Sequence, residues 1–127
     1  MSDIPLVLIV DDNDRNRKLA RDVLRLAQFR TLEAVTATEG IALASEHLPD
    51  VILMDLRLPD LDGTEAARRL LADPRTSHIP VVAVTALPLD AHDDWLFDAG
   101  FAGFIVKPID TDAFPDVVRR FCAGGPG

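Results

Sequence analysis

Five side chains of this sequence have the chemistry to bind a cation or a phosphoryl group, and each stands at the end of a short apolar run. They are Asp11, Asp12, Asp55, Thr85 and Lys107. Carboxylates that converge to about 4 Å repel by about 4 kcal/mol per pair at an effective dielectric of about 20, so a divalent cation is the natural counterion. All-oxygen ligation favours magnesium, which prefers a few carboxylates together with water and a phosphoryl oxygen. Because an ammonium and a hydroxyl group would neutralise and orient a phosphoryl group, the set predicts a magnesium-dependent phosphoryl site.

The stretch that carries Asp55 reads as a strand, a loop and a helix. Residues 51–54 are all apolar, which is typical of a strand buried on both faces. Pro59 and Gly63 indicate a turn, and a helical pattern begins near Thr64. Taken alone, Asp55 is equally consistent with a turn or helix-capping aspartate. The other apolar runs also end in reactive groups, however, and parallel strands would bring these ends to one edge, where open sheets bind ligands.

The rest of the chain alternates strands with helices. Strands are predicted at 6–10, 30–35, 51–54, 81–84 and 102–106, and helices at 13–27, 38–47, 64–72, 88–99 and 110–122. Asp12 or Asn13 can cap the first helix, and Thr36 with Glu39 has capping-box spacing at the second. Such alternation predicts an α/β fold in which helices cover both faces of a parallel sheet.

Length and composition predict one globular domain and argue against several functions. The chain has 127 residues and a formal net charge of −8, and it lacks the clustered basic surface that non-specific nucleic-acid binding needs. No apolar run approaches the ~20 residues of a membrane span, and no signal pattern is present. The one cysteine, Cys122, cannot form an internal disulfide, so a cytoplasmic location is expected. There is no glycine-rich phosphate loop and no histidine spacing typical of a metal site.

The first predicted helix is rich in basic side chains. They are Arg15, Arg17, Lys18, Arg21 and Arg25. Such a face is typical of the solvated side of an amphipathic helix, and a partner-docking face is the alternative.

Five short motifs occur in an order and spacing that is highly specific when they are taken together. They are Val-Asp-Asp-Asn at 10–13, Leu-Met-Asp-Leu-Arg-Leu-Pro at 53–59, Asp-Gly at 62–63, Val-Thr-Ala at 84–86 and Lys-Pro at 107–108. With these motifs the chain resembles, over nearly its whole length, a response-regulator receiver domain of two-component signalling. The resemblance implies a flavodoxin-like fold with a five-stranded sheet in the order 2-1-3-4-5 and five helices. It also implies a receiver domain over 1–122 and a flexible tail over 123–127.

The same resemblance assigns roles to single residues. Asp55 would accept phosphate from a phosphohistidine, Thr85 would bind a phosphoryl oxygen, and Lys107 would form the ion pair. Magnesium would be held by Asp11, Asp12, Asp55 and the backbone carbonyl of Arg57. The peptide bond before Pro108 would be cis, as only about 5% of such bonds are. The implied reaction is self-catalysed phosphotransfer followed by autodephosphorylation, which is the work of a signalling switch more than of an enzyme.

The implied switch consists of Thr85 and Phe104. Phe104 occupies the family's aromatic switch position without a hydroxyl, so any inward rotation must be driven by packing. The output face would comprise the helix over 88–99, the strand over 102–106 and the last helix, with Trp95 near it. Expected partners are a histidine kinase or a histidine phosphotransfer protein and a downstream protein target, with no nucleic acid and no membrane, and the chain is expected to be a monomer or weak dimer.

Three alternatives stay open at the level of sequence. The favoured interpretation is a stand-alone receiver, but the Gly-Gly-Pro-Gly ending is equally consistent with a receiver cut from a hybrid kinase or a multidomain regulator. A phosphatase of the haloacid-dehalogenase type would share the aspartyl-phosphate chemistry, although it needs an aspartate where Arg57 stands. A flavodoxin-like electron carrier would need a hydroxyl-rich phosphate loop where Asp11 and Asp12 stand. A colourless purified protein would exclude this alternative, because a bound flavin is coloured.

Overall fold

Five parallel strands form one sheet in the order β2-β1-β3-β4-β5 in the computed structural model, which describes residues 4–85, 99–107 and 109–122. The strands are β1 (Leu6–Val10), β2 (Arg30–Ala34), β3 (Val51–Asp55), β4 (Val81–Thr85) and β5 (Gly103–Val106). The helices within the described residues are α1 (Asp14–Leu26), α2 (Ala37–His47), α3 (Gly63–Ala72) and α4 (Phe114–Cys122). This arrangement confirms the predicted α/β class and strand order.

Several predictions fall on other parts of the chain. The helix expected over 88–99 with Trp95, the cis bond before Pro108 and the tail over 123–127 lie outside the described residues, apart from residue 99. Among the helices that are described, none is both long enough and apolar enough to cross a membrane.

The apolar runs form strands because helices cover the sheet on both faces. Side chains alternate between the faces, so Val10 and Met54 pack with α2 and α3 in one core layer. Val7 and Leu53 pack with α1 and α4 in the other layer. Strands buried on both faces read as continuous apolar sequence, which is why the central strands could be recognised.

The register of the strands brings their carboxyl ends to one edge. Val10 pairs with Met54, so the next residue of each strand, Asp11 and Asp55, follows at the same level. Asp55 in turn pairs with Val84 on β4.

Polar side chains fix the points at which the first helices begin. Asn13, one of the two predicted candidates, caps α1 by accepting from the Asn16 amide at 3.0 Å. Thr36 caps α2 by accepting from the Glu39 amide at 3.1 Å. The Glu39 carboxylate accepts from the Val35 amide at 2.8 Å, so it reaches one residue before the cap instead of the cap itself.

The last helix was predicted from Asp110, and this was wrong by four residues, because α4 begins at Phe114. The Asp110 carboxylate accepts from the Asp112 amide at 3.0 Å, and the Asp110 carbonyl accepts from the Phe114 amide at 2.9 Å. This local turn competes with a helix, as aspartate side chains often do. Pro115 also fits only near a helix start, where its missing N–H costs no hydrogen bond. Apart from the helix expected over 88–99, the other predicted ends differ from the observed ones by at most one residue.

Candidate functional site

An acidic cluster lies at the carboxyl edge of the sheet. Asp11, Asp12 and Asp55 each offer a carboxylate oxygen, and these oxygens all lie within 4.8 Å of one another. Asp11 and Asp55 are buried, whereas Asp12 is exposed. The structure therefore brings together the three acidic residues that the sequence placed at one edge.

Backbone amides hold the two buried carboxylates in the same way. Oδ1 of Asp11 accepts from the Asn13 amide at 2.8 Å, and Oδ1 of Asp55 accepts from the Arg57 amide at 2.9 Å. In each case the donor lies two residues further along the chain, in the turn that aspartate favours at the end of a strand. These bonds leave Oδ2 of both residues for a second partner.

Lys107 is that second partner. Its Nζ lies 3.0 Å from Oδ2 of Asp55 and 3.3 Å from Oδ2 of Asp11. Burial of the amine acts to lower its pKa, but the hydrogen bond to Asp55 and the charges of both carboxylates outweigh it, and the pKa of Lys107 is raised. One cation is thus shared between two buried carboxylates.

The pKa of Asp11 is raised above its usual value. The largest cause is burial, and the nearby charge of Asp55 acts in the same direction. The amide of Asn13 and the charge of Lys107 act against the shift without cancelling it. Lys107 therefore compensates the charge of the Asp11 carboxylate only in part.

Thr85 and Phe104 lie on the neighbouring strands. Thr85 is buried at the end of β4, pairs with Val106, and accepts at its carbonyl from the Lys107 amide at 2.8 Å. Phe104 is 40% exposed on β5 and pairs with Ala83. The backbone thus links the hydroxyl residue directly to the lysine of the site.

The loop between β3 and α3 is closed by its own contacts. Arg57 and Asp62 form an isolated antiparallel bridge, and the Asp62 side chain caps α3 by accepting from the Thr64 amide at 2.8 Å. At Gly63 a Cβ atom would lie 2.9 Å from both the Asp55 carbonyl oxygen and the Leu56 Cα. Only glycine permits this close approach of the loop to the end of β3.

Asp60 ties this loop to α2. Its carboxylate accepts from the amides of Ala37 and Thr38, both at 2.9 Å, and from the Thr38 hydroxyl. The Thr38 hydroxyl and amide are the main causes that lower the pKa of Asp60 to about 2. No pattern in the sequence indicates this contact, because the two partners lie 22 and 23 residues away from Asp60.

Arg17 is a second residue whose contacts the sequence did not reveal. It was grouped with the basic face of α1, yet Nη1 donates to the Asp11 carbonyl at 2.9 Å and Nε donates to Glu33 at 3.1 Å. Its spacing of three residues from Asp14, which it contacts at 2.6 Å, was the only visible hint.

The donor set at this edge fits a magnesium ion. Its acidic side chains offer only oxygen ligands, and the exposed Asp12 leaves room for water and a further oxygen donor. Nζ of Lys107 lies 3.0 Å from Oδ2 of Asp55, so its charge is placed to pair with an anionic group at that carboxylate.

The family model described as the response regulator receiver domain matches residues 7–119. Among curated proteins, the polar-differentiation response regulator DivK of Brucella ovis is 36% identical over 115 residues, which are 91% of this chain and 94% of that protein.

Two solved structures illustrate the likeness of the fold. The chemotaxis response regulator CheY4 of Vibrio cholerae has a TM-score of 0.87 and 23% identity, covering 93% of this chain and 98% of that one. The receiver domain of a sensor histidine kinase from Pseudomonas aeruginosa PAO1, which has a magnesium ion coordinated in its active site cleft, has a TM-score of 0.85 and 28% identity. That match covers 94% of this chain and 98% of the other.

Proposed function

Because this chain belongs to the response regulator receiver domain family, we propose that Asp55 accepts a phosphoryl group from a phosphohistidine and that the chain acts as a signalling switch. The observation that supports this most is the position of the Asp55 carboxylate, which has two further carboxylates within 4.8 Å and the Lys107 ammonium at 3.0 Å. A buried carboxylate with a shared cation and an adjacent acidic pair is suited to phosphoryl transfer, in which positioning and charge neutralisation do most of the catalysis.

In the proposed reaction a carboxylate oxygen of Asp55 attacks phosphorus, and the bond from phosphorus to the donor's imidazole nitrogen breaks. A magnesium ion held by Asp11, Asp12, Asp55 and the Arg57 carbonyl would neutralise charge on the phosphoryl oxygens. Lys107 lies 3.0 Å from Asp55 and needs only a small movement to pair with the new phosphoryl group. We assign Thr85 as the donor of a hydrogen bond to a phosphoryl oxygen, since it ends the adjacent strand.

The signal would leave through β4 and β5. A phosphoryl oxygen draws Thr85 towards Asp55, and Phe104 can then bury apolar surface that is now exposed, at about 25 cal/mol per Å². A coupling free energy of about 1–3 kcal/mol is expected for such a switch. The proposed partners are a histidine kinase or histidine phosphotransfer protein upstream and a protein target downstream.

A receiver that functions without an attached effector is supported by the match to DivK, 94% of which is covered. The second candidate is a receiver module of a histidine kinase, favoured by the match to receiver domains of two such kinases, at 28% and 27% identity. The phosphotransfer chemistry at Asp55 is the same in both cases.

The test is labelling with acetyl phosphate and magnesium, followed by mass spectrometry of the intact protein and its peptides. The parent and Asp50→Asn should gain one phosphoryl group, since Asp50 lies at the opposite end of β3. Asp55→Asn should gain none, and undiminished labelling of that variant would overturn the proposal. With beryllofluoride as the phosphoryl mimic, amide chemical shifts should change at Phe104 as well as around Asp55. Shifts confined to the surroundings of Asp55 would contradict the output route.

A further inference from the structure

We propose that Arg17 is a positioning residue for the metal site, because its guanidinium holds the peptide group that joins Asp11 to Asp12. This inference rests on the proposed magnesium site and extends it to a residue that carries no metal-binding group. The carbonyl of Asp11 belongs to that peptide group, and Nη1 of Arg17 donates to it at 2.9 Å. The direction of this carbonyl determines how the two carboxylates are turned relative to each other.

Other contacts hold the first half of the loop that joins β1 to α1. The Asp11 amide donates to the Ala34 carbonyl at 3.1 Å, and the Asn13 amide donates to the Asp11 carboxylate at 2.8 Å. These bonds hold the amide and the side chain of Asp11. The bond from Arg17 adds a fixed point at its carbonyl, just before the exposed Asp12.

Arg17 is itself anchored on two sides. Nε donates to Glu33 of β2 at 3.1 Å, and Nη2 contacts Asp14 at 2.6 Å. The Arg17 side chain is 14% exposed, against 28% for Arg21 on the same helix. All three guanidinium nitrogens are therefore engaged, and the group is held firmly enough to act as a support.

The geometry favours a guanidinium over an ammonium. Arg17 donates in three directions within one plane, to a strand carboxylate, a helix carboxylate and a loop carbonyl. A lysine amine is a point charge on a flexible stem and would not hold the three acceptors in the same arrangement. Outer groups that orient metal ligands typically change metal affinity by about 10- to 100-fold when they are replaced.

Charge and position make opposite predictions for this residue. A nearby positive charge disfavours binding of a cation, so removing the charge of Arg17 should tighten magnesium binding if charge were all that mattered. A positioning role predicts weaker binding in spite of the lost charge. The sign of the change therefore separates the two roles.

Arg17→Gln and Arg21→Gln form a matched pair for the test. Both variants lose one positive charge from α1 and one ion pair to Glu33, but only Arg17 contacts the Asp11 carbonyl. Magnesium affinity of the full chain is measured by titration calorimetry, and thermal unfolding is measured in the presence of a chelator. Arg17→Gln should bind magnesium about tenfold more weakly than the parent or worse, while Arg21→Gln should bind as the parent does or slightly more tightly.

Arg17→Lys serves as the second variant, because it keeps the positive charge on a long aliphatic stem but removes the planar guanidinium. It should also bind magnesium more weakly than the parent. In the metal-free protein, the backbone ¹⁵N resonance of Asp12 should shift in both Arg17 variants and not in Arg21→Gln, since this nitrogen belongs to the peptide group that Arg17 contacts.

The outcomes separate this proposal from the proposed function. If the parent binds magnesium and either Arg17 variant binds it as tightly as Arg21→Gln, the positioning role is overturned and the magnesium site stands. If the affinity falls equally in Arg17→Gln and Arg21→Gln, loss of the Glu33 pair explains it and the positioning role is again overturned. A parent that binds no magnesium overturns the metal site and this inference together.

Discussion

Strand β3 has an aspartate at each end, and the two carboxylates lie in opposite surroundings. Asp50 precedes the strand, is exposed, and accepts one hydrogen bond from the Leu6 amide at 2.7 Å. Asp55 ends the strand, is buried, and shares Lys107 with another carboxylate. The residue type and the strand are the same, so the difference comes from the parallel sheet, which gathers acidic side chains at the carboxyl end. The electrostatic surroundings of Asp55 thus depend on the convergence of strand ends more than on the aspartate itself.

The first prediction concerns the carboxyl end of β3, the crowded end at which the acidic side chains converge. It removes Lys107, the cation that partly compensates their charge. Lys107→Met leaves Asp55 and Asp11 without their shared ion pair and should lower the free energy of unfolding by about 2 kcal/mol in a chelator. Magnesium should restore much of the loss, because it offers the same carboxylates another counterion. Urea unfolding with and without magnesium measures both effects.

Arg30→Met is the matched control, since Arg30 lies near the Asp50 end and donates to the neutral Ile4 carbonyl at 3.1 Å. Its effect on stability should not depend on magnesium. A loss in Lys107→Met that is unchanged by magnesium would contradict the account of the crowded end.

The second prediction relieves the repulsion at the crowded end directly. Asp12→Asn removes one of three converging charges, so the metal-free variant should melt about 2 to 5 °C above the metal-free parent. Its magnesium affinity should fall at the same time, because a ligand is lost. Asp50→Asn should show neither change. If calorimetry gives Asp12→Asn the same melting temperature and the same magnesium affinity as the parent, the proposed difference between the two ends of β3 is contradicted.

The third and smallest prediction concerns the contribution of Asp60 to stability as the pH changes. Asp60 is exposed, yet both of its carboxylate oxygens accept hydrogen bonds. Its pKa of about 2 in the folded protein lies below the ~3.9 of an unfolded aspartate. Its contribution to stability is therefore complete above about pH 4 and is lost as the pH falls towards about 2. Asp60→Asn should lose less stability than the parent across that range. Urea midpoints between about pH 2 and pH 6 measure it, and parallel curves for the two proteins would refute the assignment.

The sequence predicted the strands that carry the site because they are buried on both faces. Such burial demands continuous apolar runs, and the residue that follows each run is then placed by the register of a parallel sheet. Asp55 and Lys107 were identified in this way as candidate site residues, although neither stands out as a single residue. The start of the last helix was missed because Asp110 prefers its own turn. The spacing of apolar residues predicts a helix but does not show that a local aspartate turn competes with it.

The residues that support the site were not predictable in the same way. Arg17 contacts Glu33, and Asp60 contacts the start of α2, across loops whose path only the folded chain defines. Each is a charged residue of a type that is usually exposed, so from the sequence alone both would pass for ordinary solvated charges. The sequence thus predicts side chains that stand at the ends of buried strands. It does not predict side chains that contact these residues from another helix or loop.

The bond between Asp60 and α2 also affects how the protein opens. The amides of Ala37 and Thr38 stand at the start of α2 and have no carbonyl partner one turn earlier in their own helix, so their protection from hydrogen exchange depends on the Asp60 carboxylate. These amides should exchange whenever the loop between β3 and α3 opens, even while the rest of α2 stays folded. We therefore expect the start of α2 and the loop that follows Asp55 to open as one cooperative unit, although the two segments lie more than twenty residues apart in the chain.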